Sequence, residues 1–310
     1  MSILVPRGVI PAMLTAFNSD ESLDIGGTKA FAEWLIERGV HGLAPCGSTG
    51  EGAAMTDTER ALVIKAVVEQ AAGRVPVFAG IIHYATQQAI ALSKAAIDAG
   101  ADGLMVLLPF YYQPTISDAI DYLRDISAAV GQPIMVYNNP WFAGYELSPI
   151  QIKSLVEEGV VHSVKSAHGD PMRVNYLKYL CGGSLSALYG HDYAPLEAFV
   201  AGADGWLSGL PNVIPELSVE LFEAVSEAKD LRRAQDVWRR MAPLAYYFMY
   251  ERQGENPAPH WLQVFKEALR IMGMDIGLPR RPTYSMSRRE RELLHSYLMQ
   301  VYPESAAAPK

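Results

Sequence analysis

Two near-copies of one phrase, AGADGLMV at 99–106 and AGADGWLS at 201–208, stand far apart in this chain. Looser echoes follow the same plan at RGVHGLAP (38–45) and EGVVHSVK (158–165). In each, a helical segment ends near a Gly and a short apolar run begins at once. Gly takes the left-handed conformation that closes a helix. An apolar run without alternation reads as a strand buried on both faces. Runs of this kind fall at 8–15, 42–47, 75–81, 103–109, 133–138, 161–167, 184–190 and 205–210. Amphipathic segments lie between them near 24–38, 56–72, 86–99, 117–130, 148–158, 170–181 and 192–201, then 213–229. The second shows its face in Ala61, Ile64, Val68 and Ala71, with capping chemistry at Thr56 to Glu59.

Eight strand–helix units predict a closed (β/α)8 barrel, an α/β TIM barrel over residues 1–229. The competing open doubly wound sheet lacks a Gly-rich dinucleotide fingerprint after the first strand. Past residue 230 the pattern changes to helical stretches at 231–251, 258–273 and 287–301, separated by Gly254-Glu255-Asn256-Pro257 and by Gly277 through Pro282. This C-terminal helical region, 230–302, is expected to pack on the barrel or on another subunit. The tail 303–310 (PESAAAPK follows from Pro303) is expected to be disordered.

One residue breaks the apolar runs. Lys165, in VVHSVKSA (160–167), is the only Asp, Glu, Lys or Arg inside any of the eight. Burying an ammonium costs several kcal/mol unless it is paired or loses its proton, and a neutral amine is a nucleophile that forms a Schiff base with a carbonyl. The alternative is a strand-end lysine whose stem packs while its head reaches water.

Composition narrows the partners. The net charge of −8 lacks the positive surface of a non-specific nucleic-acid binder. The basic stretch Arg280-Arg281 with Arg288, Arg289 and Arg291 is interleaved with Glu290 and Glu292 and reads as a solvated helix face. Two cysteines, Cys46 and Cys181, make no disulfide framework. The N-terminus is too short and proline-broken for a signal peptide, and no apolar run reaches the roughly 18 residues of a membrane span. A cytoplasmic protein is expected.

In a barrel the site lies at the carboxyl ends of the strands. Those ends carry Gly47-Ser48-Thr49-Gly50-Glu51, then His83 and Tyr84, Pro109 to Tyr112, Tyr137 to Pro140, Lys165 with His168 and Asp170, Gly190-His191-Asp192, and Trp206 to Gly209. GSTGE has the chemistry of an anion clasp, in which small residues let backbone N–H groups approach a carboxylate and two hydroxyls add donors. Tyr137 ends the strand beside that of Lys165, where a phenol can relay protons at an imine. His83, His168, His191, Asp170 and Asp192 open a metal-hydrolase reading, but no His-x-His lies in the first strand and no His pair has close ligand spacing.

GSTGE (47–51), PFYYQP (109–114), YNNP (137–140), Lys165 in VKSAHGD and GADGWLSG (202–209), in this order, resemble the dihydrodipicolinate synthase / N-acetylneuraminate lyase family of class I aldolases, over roughly residues 6–300. The resemblance implies a (β/α)8 barrel and a Schiff base between Lys165 and pyruvate or another 2-oxo acid, without metal or organic cofactor. It implies Gly47, Ser48 and Thr49 at the carboxylate, Tyr137 as general acid/base, and Thr49 and Tyr111 as its proton relay. The tyrosine matching Tyr111 comes from a neighbouring subunit in the family, so a homotetramer built as a dimer of dimers is implied. Gly190 and the carbonyl of Leu207 line the pocket beside the lysine.

The chain departs from the family's synthases where an Arg follows the YNxP motif; Phe142 stands there, and an apolar ring cannot pair with a carboxylate. Ser166-Ala167-His168-Gly169 replaces the usual run after the lysine, and Asp57, Arg60, Tyr84 and Gln88 do not match the feedback-lysine site. Phe142 and His168 are therefore expected to contact a second substrate, an aldehyde other than aspartate semialdehyde. The alternatives are an authentic 4-hydroxy-tetrahydrodipicolinate synthase and a barrel that binds a 2-oxo acid without turning it over.

Overall fold

Most helices in the ring begin where a side chain accepts from a free N–H group of the first turn. The computed structural model describes residues 5–249 and 259–303. Helix α2 (Asp57–Ala71) starts on a reciprocal cap between Thr56 and Glu59, and α4 (Ile116–Val130) on one between Thr115 and Asp118. Gly131, with φ +68°, ends α4 in the left-handed conformation. The other barrel helices are α1 (Ile25–Glu37), α3 (Thr86–Asp98), α5 (Pro140–Ala143), α6 (Pro149–Glu157), α7 (Pro171–Cys181), α8 (Pro195–Val200) and α9 (Pro215–Phe222).

Seven parallel strands form one sheet: β1 (Gly8–Pro11), β2 (Phe78–Ile81), β3 (Gly103–Leu107), β4 (Ile134–Asn138), β5 (Val161–Ser166), β6 (Ser186–Tyr189) and β7 (Gly205–Ser208). Their order is β1-β7-β6-β5-β4-β3-β2. The eighth expected strand, 42–47, is not a full strand. Backbone hydrogen bonds still join it to both open edges: Ala44 N–H donates to Pro11 O and Met13 N–H to Ala44 O, each at 3.0 Å, on one side, and Leu43 N–H donates to Pro76 O at 2.9 Å and Phe78 N–H to Leu43 O at 2.8 Å on the other. Its regular pairing is limited to one isolated parallel bridge, Leu43 to Val77. Pro45 has no N–H to donate, and Cys46, at φ +59°, turns the chain away. The ring closes regardless, as the barrel reading predicts.

The pleat sorts side chains into two cores. Alternate strand residues, among them Ile10, Phe78, Met105, Met135 and Leu207, fill the barrel interior. The larger cluster, with Phe31, Val106, Leu123 and Trp206, lies between strands and helices. After the barrel come α10 (Leu231–Met249), α11 (Trp261–Ile271) and α12 (Arg288–Val301). The expected break at 254–257 and nearly all of the expected tail, from 304, lie outside the described residues. Arg280 is not on a solvated helix face. It precedes α12 and binds Glu59 with both terminal nitrogens, because a half-buried guanidinium needs a fixed carboxylate. Among the described residues no helix is long and apolar enough to cross a membrane.

Candidate active site

Register places the amine. Lys165 pairs with Tyr137 on β4 and with Leu188 on β6, and both neighbours belong to the barrel interior. The lysine is 4% exposed, and its Nζ stands 4.0 Å from the centroid of the Tyr137 ring. A cation over the ring face gains about 0.5–2 kcal/mol, which offsets part of the burial. Tyr137 is fixed from its far end: Asn139 Nδ2 donates to the phenol oxygen at 2.9 Å. The same Asn139 accepts from Trp141 N and Phe142 N through Oδ1 and so caps α5. One buried side chain therefore sets both the phenol and the short helix that carries Phe142.

A cavity of about 480 Å³ opens over the amine, with Ser48, Thr49, Tyr137, Gly190 and Phe142 in its wall. The turn that brings Ser48 and Thr49 there is bracketed by two left-handed residues, Cys46 (φ +59°) and Glu51 (φ +58°). Each such non-Gly residue costs about 1–3 kcal/mol, so the surroundings must impose the shape. They do: Thr15 Oγ1 donates to Gly50 O at 2.8 Å, and a Cβ on Gly50 would lie 2.7 Å from Met13 O. Among the described residues the amide N–H groups of Ser48 and Thr49 donate no hydrogen bond. Two free N–H groups and two hydroxyls at one cavity wall suit an anion.

The wall also holds His191 and Asp192. Burial, with the Lys165 charge adding to it, holds the His191 ring down at about 4, so it is neutral near pH 7. Asp192 is pushed up to about 6 by burial, against the pull of Ser208, the Leu210 N–H and Lys165. The Leu210 amide donates to Asp192 Oδ1 at 3.0 Å. The outer wall is aromatic. Phe142 lies 5.7 Å from Trp261 and Phe248 5.0 Å from Phe265, centroid to centroid.

Residues 5–301 match the model of the dihydrodipicolinate synthetase family. The chain belongs to this family. Its members are class I, Schiff-base aldolases, and the protein is an enzyme of that lyase class. It is 35% identical over 296 residues to the 4-hydroxy-tetrahydrodipicolinate synthase of Methanoculleus marisnigri, covering 94% of this chain and 98% of the relative. Among solved structures it resembles the chloride-inhibited dihydrodipicolinate synthase from Acinetobacter baumannii complexed with pyruvate. There the identity is 30% and the TM-score 0.86, over 95% of this chain and 98% of that one. It also resembles YagE from E. coli K12, a family protein in complex with pyruvate, with 27% identity and a TM-score of 0.88 over 96% and 99%.

Within this family framework the fold gathers Lys165, Tyr137, Ser48, Thr49, Gly190 and Phe142 at one cavity. Gly47 sits behind the clasp, where a Cβ would meet Met105 at 3.0 Å, and Leu207 is buried in the barrel interior. Neither lines the cavity. His168 also stands apart, its Nε2 3.9 Å from Glu146. Tyr111 is 80% exposed at φ +70°, outside the cavity of its own chain. Of the metal candidates, His83 accepts from Ala85 N–H and Asp170 caps α7, so they are spent on local structure. The sequence reading missed Asn139 and weighed Asp192 only as a metal ligand. A residue before Pro140 at a helix start is a capping signal that could have found Asn139. It also gave the C-terminal helices a packing role alone, whereas Phe248, Trp261 and Phe265 line the cavity. No local pattern distinguishes a cavity-lining aromatic from a core one.

Proposed function

We propose that the protein joins or splits a carbon–carbon bond through an imine between Lys165 and pyruvate. The observation that carries this reading is the buried Lys165 amine, over Tyr137 and in one cavity with Ser48 and Thr49. The Lys165 amine attacks the ketone carbon, the former carbonyl oxygen takes up the protons it needs to leave as water, and a protonated imine remains. Ser48 and Thr49, with their N–H groups, take the carboxylate. The imine draws electrons, so the adjacent carbon releases a proton and becomes an enamine. The enamine attacks an aldehyde, the new alkoxide takes a proton, and water returns to free the lysine. Tyr137 carries these protons, with Thr49 and a neighbouring subunit's Tyr111 as relay. The exposure of Tyr111 suits that role in a dimer of dimers. The reduced thiols Cys46 and Cys181 fit a cytoplasmic enzyme.

Pyruvate in the Acinetobacter complex supports the first substrate. The name of the Methanoculleus relative supports aspartate semialdehyde as the second, hence 4-hydroxy-tetrahydrodipicolinate synthesis. That reading has more support than the other aldehyde anticipated from the sequence. The other aldehyde stays as a second reading on one observation: Phe142 and Trp261 form an aromatic outer wall, and Lys165 is the only Lys or Arg among the described wall residues.

The test is to incubate the protein with pyruvate, reduce with borohydride and map the adduct by peptide mass spectrometry. The expected adduct is on Lys165 and is lost in a folded Lys165→Ala variant. An adduct elsewhere, or none in a folded sample, refutes the proposal.

A further inference from the structure

The GSTGE turn ends in a residue that the imine chemistry leaves unused. Glu51 is buried, its side chain turned away from the cavity that Ser48 and Thr49 line. Both of its oxygens are held by the C-terminal part of the chain. Lys266 Nζ, on α11, lies 2.8 Å from Oε1, with side-chain exposures of 1% and 3% for the pair. The contact is off the hydrogen-bond direction, so it acts as a charge contact. The Arg280 amide donates to Oε2 at 2.8 Å.

Among the described residues, neither contact comes from the barrel. The grip also continues past Glu51. Arg280 Nη1 donates to Ala54 O at 2.8 Å, and its guanidinium binds Glu59 on α2. Lys266 and Arg280 both pack on Phe17, at 4.5 and 4.4 Å from its ring centroid. Lys266 Nζ donates to Leu278 O at 3.1 Å. The segment from Glu51 to Glu59 is thus clamped at three points by residues far away in sequence.

We propose that Glu51 and Lys266 are positioning residues: their buried ion pair holds the turn in the one shape that presents Ser48 and Thr49 to the 2-oxo acid carboxylate. Three observations converge on this. Glu51 has a φ of +58°, a conformation in which Gly would sit without strain, yet the position carries a side chain tied at both oxygens. Ser48 and Thr49 line the cavity, and among the described residues their N–H groups donate no hydrogen bond, so the turn's backbone geometry sets where those groups lie. A buried ion pair is also a poor way to gain stability alone, since apolar groups of similar volume do as well. Burial does push the Lys266 ammonium below its usual range, with Glu51 pulling the other way. The same helix places Phe265 and Trp261 in the outer wall, so α11 sets the carboxylate end and the far end of the cavity together.

The inference rests on the proposed imine chemistry, and the experiment separates the two. Borohydride trapping on Lys165 is measured with pyruvate and with acetone, a ketone without the carboxylate. Wild type, Glu51→Gln and the double variant Glu51→Gln/Lys266→Met are compared. The double variant removes both charges and leaves Gln Oε1 to accept from the Arg280 amide. Half-saturation by pyruvate is expected to rise about tenfold or more, as for a misplaced binding group, while trapping by acetone stays at the wild-type level. Glu51→Gln, which keeps the volume, is expected to shift pyruvate alone in the same direction, and it decides the matter should the double variant not fold. Unchanged half-saturation by pyruvate in a folded variant overturns the positioning role. An equal loss with pyruvate and acetone overturns it too, because a merely structural role moves both. Failure of the wild type to trap pyruvate on Lys165 is a different outcome, and it removes the imine reading and this role with it.

Discussion

Asn139 serves the phenol and a helix cap at once, and two substitutions separate those duties. Asn139→Ala removes the 2.9 Å bond to the Tyr137 oxygen and both capping bonds to Trp141 and Phe142. A lost cap costs about 0.5–2 kcal/mol, and a lost neutral hydrogen bond about 0.5–1.5 kcal/mol. Together they predict a loss of about 1–3.5 kcal/mol, or roughly 2–5 °C in Tm for a chain of this size. Asn139→Ser keeps a capping oxygen, since Ser ranks with Asn at this position, but is too short to reach the phenol. Its Tm is expected to fall by much less. Activity should not follow Tm. Both variants leave the Tyr137 hydroxyl unheld, and a bond of about 1.4 kcal/mol corresponds to a tenfold drop in rate. Exchange of the pyruvate methyl protons with deuterated water, followed by NMR, reads the imine-to-enamine step without any aldehyde. A Ser variant that exchanges at the wild-type rate would falsify the phenol-holding argument, leaving Asn139 as a cap alone.

Asp192 titrates at about 6 in the fold against about 3.9 unfolded, so stability falls as pH rises from about 4 to 6 and stays reduced above. Asp192→Asn should therefore gain on wild type across that window by at most about 3 kcal/mol, measured by urea unfolding. His191 runs the other way. Held at about 4 against about 6.5 unfolded, it loses stability as pH falls between those values, and His191→Asn should flatten that limb. A parallel pH dependence in variant and wild type sinks either assignment. For the outer wall, Phe142→Arg is expected to improve condensation of pyruvate with aspartate semialdehyde if the second reading holds. A wild type that already turns over that pair efficiently, and is harmed by the Arg, settles the matter for the synthase.

The barrel was legible in the sequence because its signals are local. A buried parallel strand reads as a short apolar run, and a Gly before it closes the preceding helix, as at Gly100 with φ +94° and Gly202 with φ +101°. Lys165 was legible because a charge inside such a run conflicts with burial, and the GSTGE and YNNP motifs marked two more walls of the cavity. Three other things depended on tertiary structure. The segment 42–47 has strand composition, but Pro45 and the left-handed Cys46 leave it one bridge, and ring closure comes from both neighbouring edges. The outer wall comes from α10 and α11, because helix packing chooses which aromatic residues face a cavity and which face the core. Last, Glu51 finds Lys266 and Arg280 across more than two hundred residues. Spacing along a chain encodes turns and faces, whereas a buried ion pair between distant segments exists only once the fold has brought them together.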